Sequence, residues 1–535
     1  MHVLSAAEMQ ACDRTTTERH GIPSIDLMRN AAQAVVAFAR EQFPKTRRAI
    51  VLCGRGNNGG DGMMTARLLA AAGLEVTTLL LGAQEGIGAD VAAAWGELLA
   101  SAAPGTVHVV ETAAQLAAHS GALKADLLVD AVVGTGFKPS LKGLAKAALE
   151  WAKMSTAVVL SIDLPSGWAA DATQAEATGP VFPSDAVITF TAPKPAHVFG
   201  QLTRRWDQPV VVTPIGSPDE AIASTLGVDW GGSAMELIRR PRAAASNKGN
   251  FGHVLVVGGS VGRSGAPSMT SLAALRSGAG LVTAAVPAAV LAQVSAITPE
   301  LMTFPLEANS KGGISIDNLA PQALAGLMAG KTVLAIGPGL GQNADTVKFV
   351  TGLLAATKIP VVIDADALNI LATKPALLAK LAKGRTVVLT PHPGEMARLA
   401  GITVPEVQAN RLEVARGFAQ RFGVTLVLKG ARTLIAHPDG RVAVNTTGNP
   451  GMAKGGSGDL LTGLTAGLLA QYPSDAARAV EAAVYLHGLA GDFAVRQGDE
   501  HTLLATDSLQ QLSRAFHFDS RGRNGYVWLQ GQAAE

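Results

Sequence analysis

The 535-residue chain is poor in several features that declare a function at once. It has two cysteines, Cys12 and Cys53, too few for a disulfide framework, so a reducing, cytoplasmic location is expected. It has no block of basic residues. Lys and Arg number 44 against 42 Asp and Glu, a formal net charge of +2, which argues against a nucleic-acid partner. The run Arg239-Arg-Pro-Arg242 is too short to reverse that and reads as a solvated linker edge. Long apolar runs are missing too. The most membrane-like stretch, residues 281–297, is interrupted by Thr283, Pro287, Gln293 and Ser295, and reads as a strand, a turn and a helix start. Glu8 and Asp13 come early, without the basic-then-apolar pattern of a signal peptide, and none is expected. Aromatic residues make up only 4%, whereas glycine is plentiful at 59. The chain is too long for one ordinary core and suits two α/β domains.

Residues 1–48 read as helical, with Leu27, Ala31, Ala34, Val35 and Phe38 on one stripe. A buried strand at 49–53 runs into Gly54-Arg-Gly-Asn-Asn-Gly-Gly-Asp-Gly62, followed by a helix from about residue 63 to 72. A strand, a glycine-rich turn and a helix form an anion-binding unit. Gly54, Gly56 and Gly59 match the dinucleotide fingerprint, but the next strand, 75–81, ends in Gly82 where an acid is required, which argues against an ordinary NAD redox site. Strands at 107–110, 126–130, 157–163, 185–190 and 209–213, with helices between most of them, predict a parallel sheet covered on both faces. Two of these strands end in acids. Asp130 precedes Ala-Val-Val-Gly134-Thr-Gly136, and Asp163 precedes Leu-Pro-Ser166-Gly167. A lone strand-end Asp is often a helix cap, but together with Asn57, Asn58 and Asp61 these two are expected to share a cleft.

This constellation resembles the NAD(P)H-hydrate epimerase family over roughly residues 1–215. The resemblance implies that Asn57, Asn58, Gly59, Gly60 and Asp61, with Gly134, Thr135, Gly136, Phe137, Lys138, Pro139 and Ser140, line the substrate's phosphates and sugar. It makes Asp163 the acid–base group and also a substrate contact. It places Asn58, Asp130 and Ser166 at a potassium site; their oxygens suit a hard monovalent cation, sodium as well as potassium.

From 216 to about 250 the pattern weakens, and the expected domains are 1–225 and 226–515, followed by a polar tail at 516–535 containing Asp519-Ser-Arg-Gly-Arg-Asn-Gly525. Further strands are expected at 253–257, 281–286, 332–336, 361–363, 386–390 and 424–429, with a hairpin of 433–436 and 441–444 around Pro438-Asp-Gly440. Pro267 suits a helix start, and Thr403 with Glu406 reads as the capping box of the helix after the strand at 386. Polar groups gather in Gly337-Pro-Gly-Leu-Gly341, Asp364-Ala-Asp-Ala-Leu-Asn369, His392-Pro-Gly-Glu395 and Lys429-Gly-Ala-Arg-Thr433. His392 has no close His or Cys partner for a zinc site, and His487 reads as a packing residue. The densest signal is Asn445 to Gly463. There Gly448, Gly451, Gly455, Gly456 and Gly458 surround Asp459, and an apolar helix begins at Leu460. Open backbone N–H groups at a helix start hold phosphate. Asp459 would take a proton from an attacking hydroxyl, or merely cap the helix.

With Asn247-Lys-Gly, Phe251-Gly and Thr390-Pro-His-Pro-Gly-Glu395, these motifs resemble the ribokinase-like, ADP-dependent NAD(P)H-hydrate dehydratases over roughly residues 235–515. The resemblance implies that Ala266, Gly339, His392 and Asp459 contact the hydrated nucleotide, and that Asp459 is the catalytic base. It implies that Lys429, Gly430, Ala431, Arg432, Thr433 and Gly458 hold ADP, with Mg2+ bridging phosphates. The expected fold is an N-terminal Rossmann-like three-layer αβα domain followed by a ribokinase-like αβα domain. The expected enzyme epimerises the R and S forms of hydrated NADH and NADPH, with K+, and dehydrates the S form at the expense of ADP. Its partners are these small molecules, without nucleic acid or membrane, and a homo-oligomer is expected. A small-molecule kinase would share Asp459 and the glycine loop but leave residues 1–215 unexplained; a non-catalytic nucleotide sensor would need neither acid.

Overall fold

Strands buried along nearly their whole length are what a parallel sheet covered by helices on both faces requires. The computed structural model describes residues 1–531 and contains two such sheets, one in each of two units. Unit 1 comprises Met1–Gly227 and the segment from Asp519 onward; unit 2 is Val228–Phe518.

Unit 1 contains β1 (Arg48–Cys53), β2 (Glu75–Leu81), β3 (Val107–Val110), β4 (Leu127–Ala131), β5 (Val158–Ile162), β6 (Ala186–Phe190) and β7 (Val210–Thr213). They lie in the order β7-β6-β5-β4-β1-β2-β3, all parallel. Alternation along β1 sends Val51 and Cys53 into one core with Phe38 and Met63, and Ile50 and Leu52 into the other with Leu149 and Trp151. Strand order reverses between β1 and β4, the place where an open α/β sheet leaves a crevice beyond its strand ends. The expected helical region 1–48 is two helices, Ala6–Glu18 and Ser24–Gln42, separated where Gly21 takes a φ of 68° and Pro23 follows. The helix after β1 begins at Asn57 rather than near 63, so the asparagines and glycines form its opening turn.

Unit 2 contains β8 (Val228–Trp230), β9 (His253–Val257), β10 (Leu281–Pro287), β11 (Met302–Leu306), β12 (Val333–Ile336), β13 (Val361–Ile363), β14 (Val387–Leu389), β15 (Thr425–Leu428), β16 (Leu434–Ala436) and β17 (Val442–Val444). The order is β11-β10-β9-β12-β13-β14-β15-β16-β17-β8, parallel from β11 to β15 and then antiparallel through the β16–β17 hairpin. The weakly patterned segment before residue 250 thus supplies an edge strand, β8, parallel to β17. Arg242 is exposed, as a solvated edge requires, but held: its guanidinium lies 3.7 Å from the Phe251 ring centroid and donates to Gly278 O at 2.6 Å. Thr403 and Glu406 cap the second helix after β14, Val404–Ala409; the first, Pro393–Ala400, is capped by His392. The helices Ser457–Gln471 and Gly265–Arg276 pack so closely that a Cβ on Gly463 would lie 2.1 Å from Thr270 O. Among the described residues no helix is long and apolar enough to cross a membrane.

The expected polar tail is overturned as far as residue 531; residues 532–535 lie outside the described residues. Residues Val527–Gln530 form β18, antiparallel to β7 at the edge of the unit 1 sheet. Trp528 and Leu529 are buried, and Tyr526 packs edge-on against Phe38 with ring centroids 5.7 Å apart. The strand draws on Tyr526-Val-Trp-Leu529, an apolar run of strand-forming residues that directly follows a charged stretch.

Candidate active sites

The reversal in unit 1 holds a cavity of about 560 Å³, lined by Asn57, Asn58, Asp61, the stretch from Val132 to Phe137, and Asp163. Glycine lets its walls close. A Cβ on Gly54 would stand 1.9 Å from Val132 O, and one on Gly59 1.9 Å from Gly54 O. Lys138, Pro139 and Ser140 are exposed and stand outside this lining. Asp163 follows β5 with a φ of 65°, a conformation that turns its carboxylate into a ring of donors. Thr135 donates to Oδ2 from its backbone N at 2.9 Å and also from its hydroxyl. Thr189 Oγ1 donates to Oδ1 at 2.9 Å, and Lys194 Nζ at 3.0 Å. Burial works against the charge, but the Lys194 ammonium, then His197 and Thr135, hold this carboxyl well below the usual range.

Beneath the cavity, Asp130 is fully buried. It accepts from Ser166 N at 2.8 Å, Ser166 Oγ at 2.6 Å and Ser161 Oγ at 3.0 Å, and burial lifts its carboxyl to about 6. Both polar atoms of the Asn58 side chain are buried without a partner.

In unit 2, Asp364, Glu395 and Lys429 stand at or just beyond the C-terminal ends of β13, β14 and β15. Lys429 Nζ donates to Asp364 Oδ1 at 2.9 Å and lies 3.8 Å from Glu395 Oε2; Thr462 Oγ1 donates to Asp364 Oδ2 at 2.8 Å. Gly458 rests on this pair, since a Cβ there would be 3.5 Å from Lys429 Nζ. Asp459 is in the first turn of the helix Ser457–Gln471, which opens from Gly456 at a φ of 95°. Burial, and then Asp364, raise the Asp459 carboxyl to about 6 against the pull of Lys429. His392 Nδ1 accepts from Gly394 N at 3.0 Å, and burial, then Lys429, lower the ring's affinity for a proton. Ala266 and Gly339 meet between β9 and β12, where strand order reverses; a Cβ on Gly339 would touch the Ala266 Cβ at 3.4 Å. Asp366 is occupied as a staple, accepting from Gly341 N at 2.8 Å.

Several groups escaped the sequence reading. Lys194 and Asp13 face the unit 1 cavity, yet neither belongs to a glycine-rich motif. Arg411 donates to Leu428 O, Lys429 O and Arg432 O, at 3.3, 3.4 and 3.4 Å, and so stitches the loop expected to hold ADP. Asp492 accepts from Gly448 N at 3.0 Å and Asn449 Nδ2 at 2.9 Å, anchoring the glycine loop. A buried acid inside the apolar helix Ala476–Gln497 was the available signal.

Two crevices at the C-terminal ends of largely parallel strands, each beside a glycine-led helix, define a two-domain α/β enzyme of nucleotide-handling type. Residues 24–196 match the family described as YjeF-related protein N-terminus, and residues 254–514 the family described as NAD(P)H-hydrate dehydratase. The chain is 41% identical over 531 residues to the bifunctional NAD(P)H-hydrate repair enzyme Nnr of Moorella thermoacetica, covering 96% of each. It is 34% identical to the enzyme of that name from Escherichia coli K12, covering 97% of this chain and 95% of that one. Among solved structures, the ADP/ATP-dependent NAD(P)H-hydrate dehydratase of Bacillus subtilis is 33% identical, covering 53% of this chain and 96% of its own, with a TM-score of 0.43. The chain belongs to the family of bifunctional NAD(P)H-hydrate repair enzymes.

Proposed function

We propose that unit 1 interconverts the R and S hydrates of NADH and NADPH, and that unit 2 removes water from the S hydrate using ADP. Hydroxide is a poor leaving group and phosphate a good one, so a kinase-like site suits a dehydration. Asp459 takes the proton of the ring hydroxyl, which attacks the β-phosphate of ADP and releases AMP. Elimination of phosphate and the neighbouring proton restores the dihydronicotinamide. Lys429 and the backbone N–H groups of Gly456 to Gly458 face the charge of the transferring phosphoryl. Ala266, Gly339 and His392 contact the hydrated nucleotide, while Gly430, Ala431, Arg432 and Thr433 complete the ADP loop.

The observation that carries this reading is the Asp459 carboxyl, lifted to about 6 beside Lys429 and Gly458. A base of that strength is ionised at neutral pH yet accepts a proton readily. The helix-cap role would call for no such setting.

A monovalent cation fits unit 1. Asn58 carries an orphaned side-chain oxygen, and Asp130 is raised by burial with hydroxyl and backbone partners in place of a cationic one. Asn58, Asp130 and Ser166 would hold potassium, whose charge would steady the loops around the substrate's phosphates. Among the described residues no three acid, His or Cys side chains group to hold a metal. Magnesium in this reading arrives on the phosphates of ADP.

The test is incubation with hydrated NADH and ADP. Absorbance of the reduced ring should return in step with AMP and phosphate; a phosphorylated alcohol accumulating without that return would instead identify a small-molecule kinase.

A further inference from the structure

A dihydronicotinamide is an enamine, so hydration puts the hydroxyl on the carbon beside the ring nitrogen. Inverting that carbon means breaking its C–O bond with the nitrogen lone pair behind it. Hydroxide departs readily only as water, so the cavity needs one carboxyl that carries a proton and one that does not. Asp163 is poorly placed for the first duty. Both its oxygens are occupied by Thr135, Thr189 and Lys194 donors, and that lysine keeps it ionised.

Besides Asp90, which accepts from Ser24 Oγ at 2.6 Å, two other acids line the same cavity: Asp13 from the helix Ala6–Glu18 and Asp61 from the helix Asn57–Ala71. Among the described residues no hydrogen-bond donor reaches either carboxyl. We infer that Asp61 and Asp13 are the acid–base pair of this cavity and share the one proton that epimerisation moves, an inference that rests on the epimerase reading above.

Their surroundings support it. Burial, then Asp163 and Asp13, push Asp61 well above the usual carboxylate range, with Lys194 opposing. Burial also raises Asp13, with Lys194 opposing and Asp163 adding. Arg55 and Asp90 are the other charged side chains of the cavity wall. Acids kept close in a low-dielectric site do not all ionise, which leaves one proton to share. Phosphates are repelled by this cluster, so the ring rather than the pyrophosphate faces it, and the pyrophosphate meets the open N–H groups near Asn57.

The step balances. The Asp61 carboxyl gives its proton to the ring hydroxyl, the C–O electron pair leaves with the resulting water, and the nitrogen lone pair forms the C=N bond. The new Asp61 carboxylate offsets the iminium charge. Water adds to the other face, and its proton goes to the Asp13 carboxylate. The reverse epimerisation starts from that state.

The test uses the full chain and purified R hydrate of NADH, with chiral separation over time. Dehydration of the S hydrate in the same preparation reports intact protein. D61N and D13N should each slow exchange by roughly 10²–10⁴-fold and leave S dehydration unchanged. Added formate should restore part of the exchange to D61A, which lost packing alone would not permit. In ¹⁸O-labelled water the parent enzyme should put ¹⁸O into the inverted product. Either asparagine variant exchanging at the parent rate, or inverted product without ¹⁸O, overturns the pair. Parent enzyme exchanging no faster than buffer removes the epimerase reading itself.

Discussion

In each unit a strand-end aspartate meets a lysine, and a second acid sits near the start of a glycine-led helix. Unit 1 pairs Asp163 with Lys194 at 3.0 Å and adds Asp61; unit 2 pairs Asp364 with Lys429 at 2.9 Å and adds Asp459. The parts match, but the lysines differ. The Lys194 side chain is 2% exposed and also donates to Thr189 Oγ1 at 2.8 Å. The Lys429 side chain is 20% exposed and has Glu395 at 3.8 Å as a second acid. Lys194 is therefore a fixed counter-charge, whereas Lys429, in the ADP loop proposed above, would turn from Asp364 to a phosphate. A sealed ion pair sets the field in which other acids titrate; an open one exchanges partners with a ligand.

The sharpest break in the comparison is Asp459→Asn, which keeps size and hydrogen bonding but removes the proton acceptor. The dehydration kcat should fall on the order of 10⁴-fold while ADP still binds by calorimetry. If Asp459 only capped the helix, Asn would cap as well and turnover would persist.

Asp163→Ala in unit 1 should slow epimer exchange by about tenfold, because it removes a charge that raises Asp61 and Asp13, and should leave S dehydration intact. It also strands a buried ammonium, at a cost of about 3–5 kcal/mol in the unfolding of that unit. Adding Lys194→Met should recover stability without recovering exchange, as denaturant titration and chiral separation would register.

Lys429→Met should act differently, raising KM for ADP by roughly 10–100-fold through a lost charged hydrogen bond, with a smaller loss of melting temperature than Lys194→Met because its pair is partly open to water. Equal destabilisation by Lys429→Met and Lys194→Met would erase the distinction between the open and sealed pairs.

The smallest effect is in pH. Asp459 must be ionised to act, and its carboxyl is raised to about 6, so dehydration kcat/KM should fall about tenfold per unit below that pH. Asp163 is held well below the usual range and adds no such limb to epimerisation there. Rate profiles of the two reactions from pH 5 to 8 compare them directly.

Much of both sites is local chemistry and could be read from the chain. Asn57 to Asp61, Val132 to Phe137, Lys429 to Thr433 and Gly455 to Asp459 are each contiguous, because a turn that follows a strand or opens a helix needs its residues in succession. The β16–β17 hairpin was legible for the same reason, from alternating apolar residues around Pro438-Asp-Gly440. Element starts were less legible. The helix at Asn57 begins in a glycine-rich stretch with poor helix propensity, held there by packing such as that of Gly62 against Ala131.

The succession of most strands and helices along the chain, though not β8, β11 or β18, the two glycine-led crevices and the acids at strand ends were determined by the sequence alone, since periodicity and turn chemistry act between near neighbours. Tertiary structure decided which charges meet. Lys194 reaches Asp163 across 31 positions, and Asp364 reaches Lys429 across 65 and Thr462 across 98. β18 returns to pair with β7 after the whole of unit 2 has intervened. Those encounters follow from strand order, which no local pattern encodes. Burial then sets how far each carboxyl departs from its ordinary proton affinity, because desolvation depends on every element packed around it.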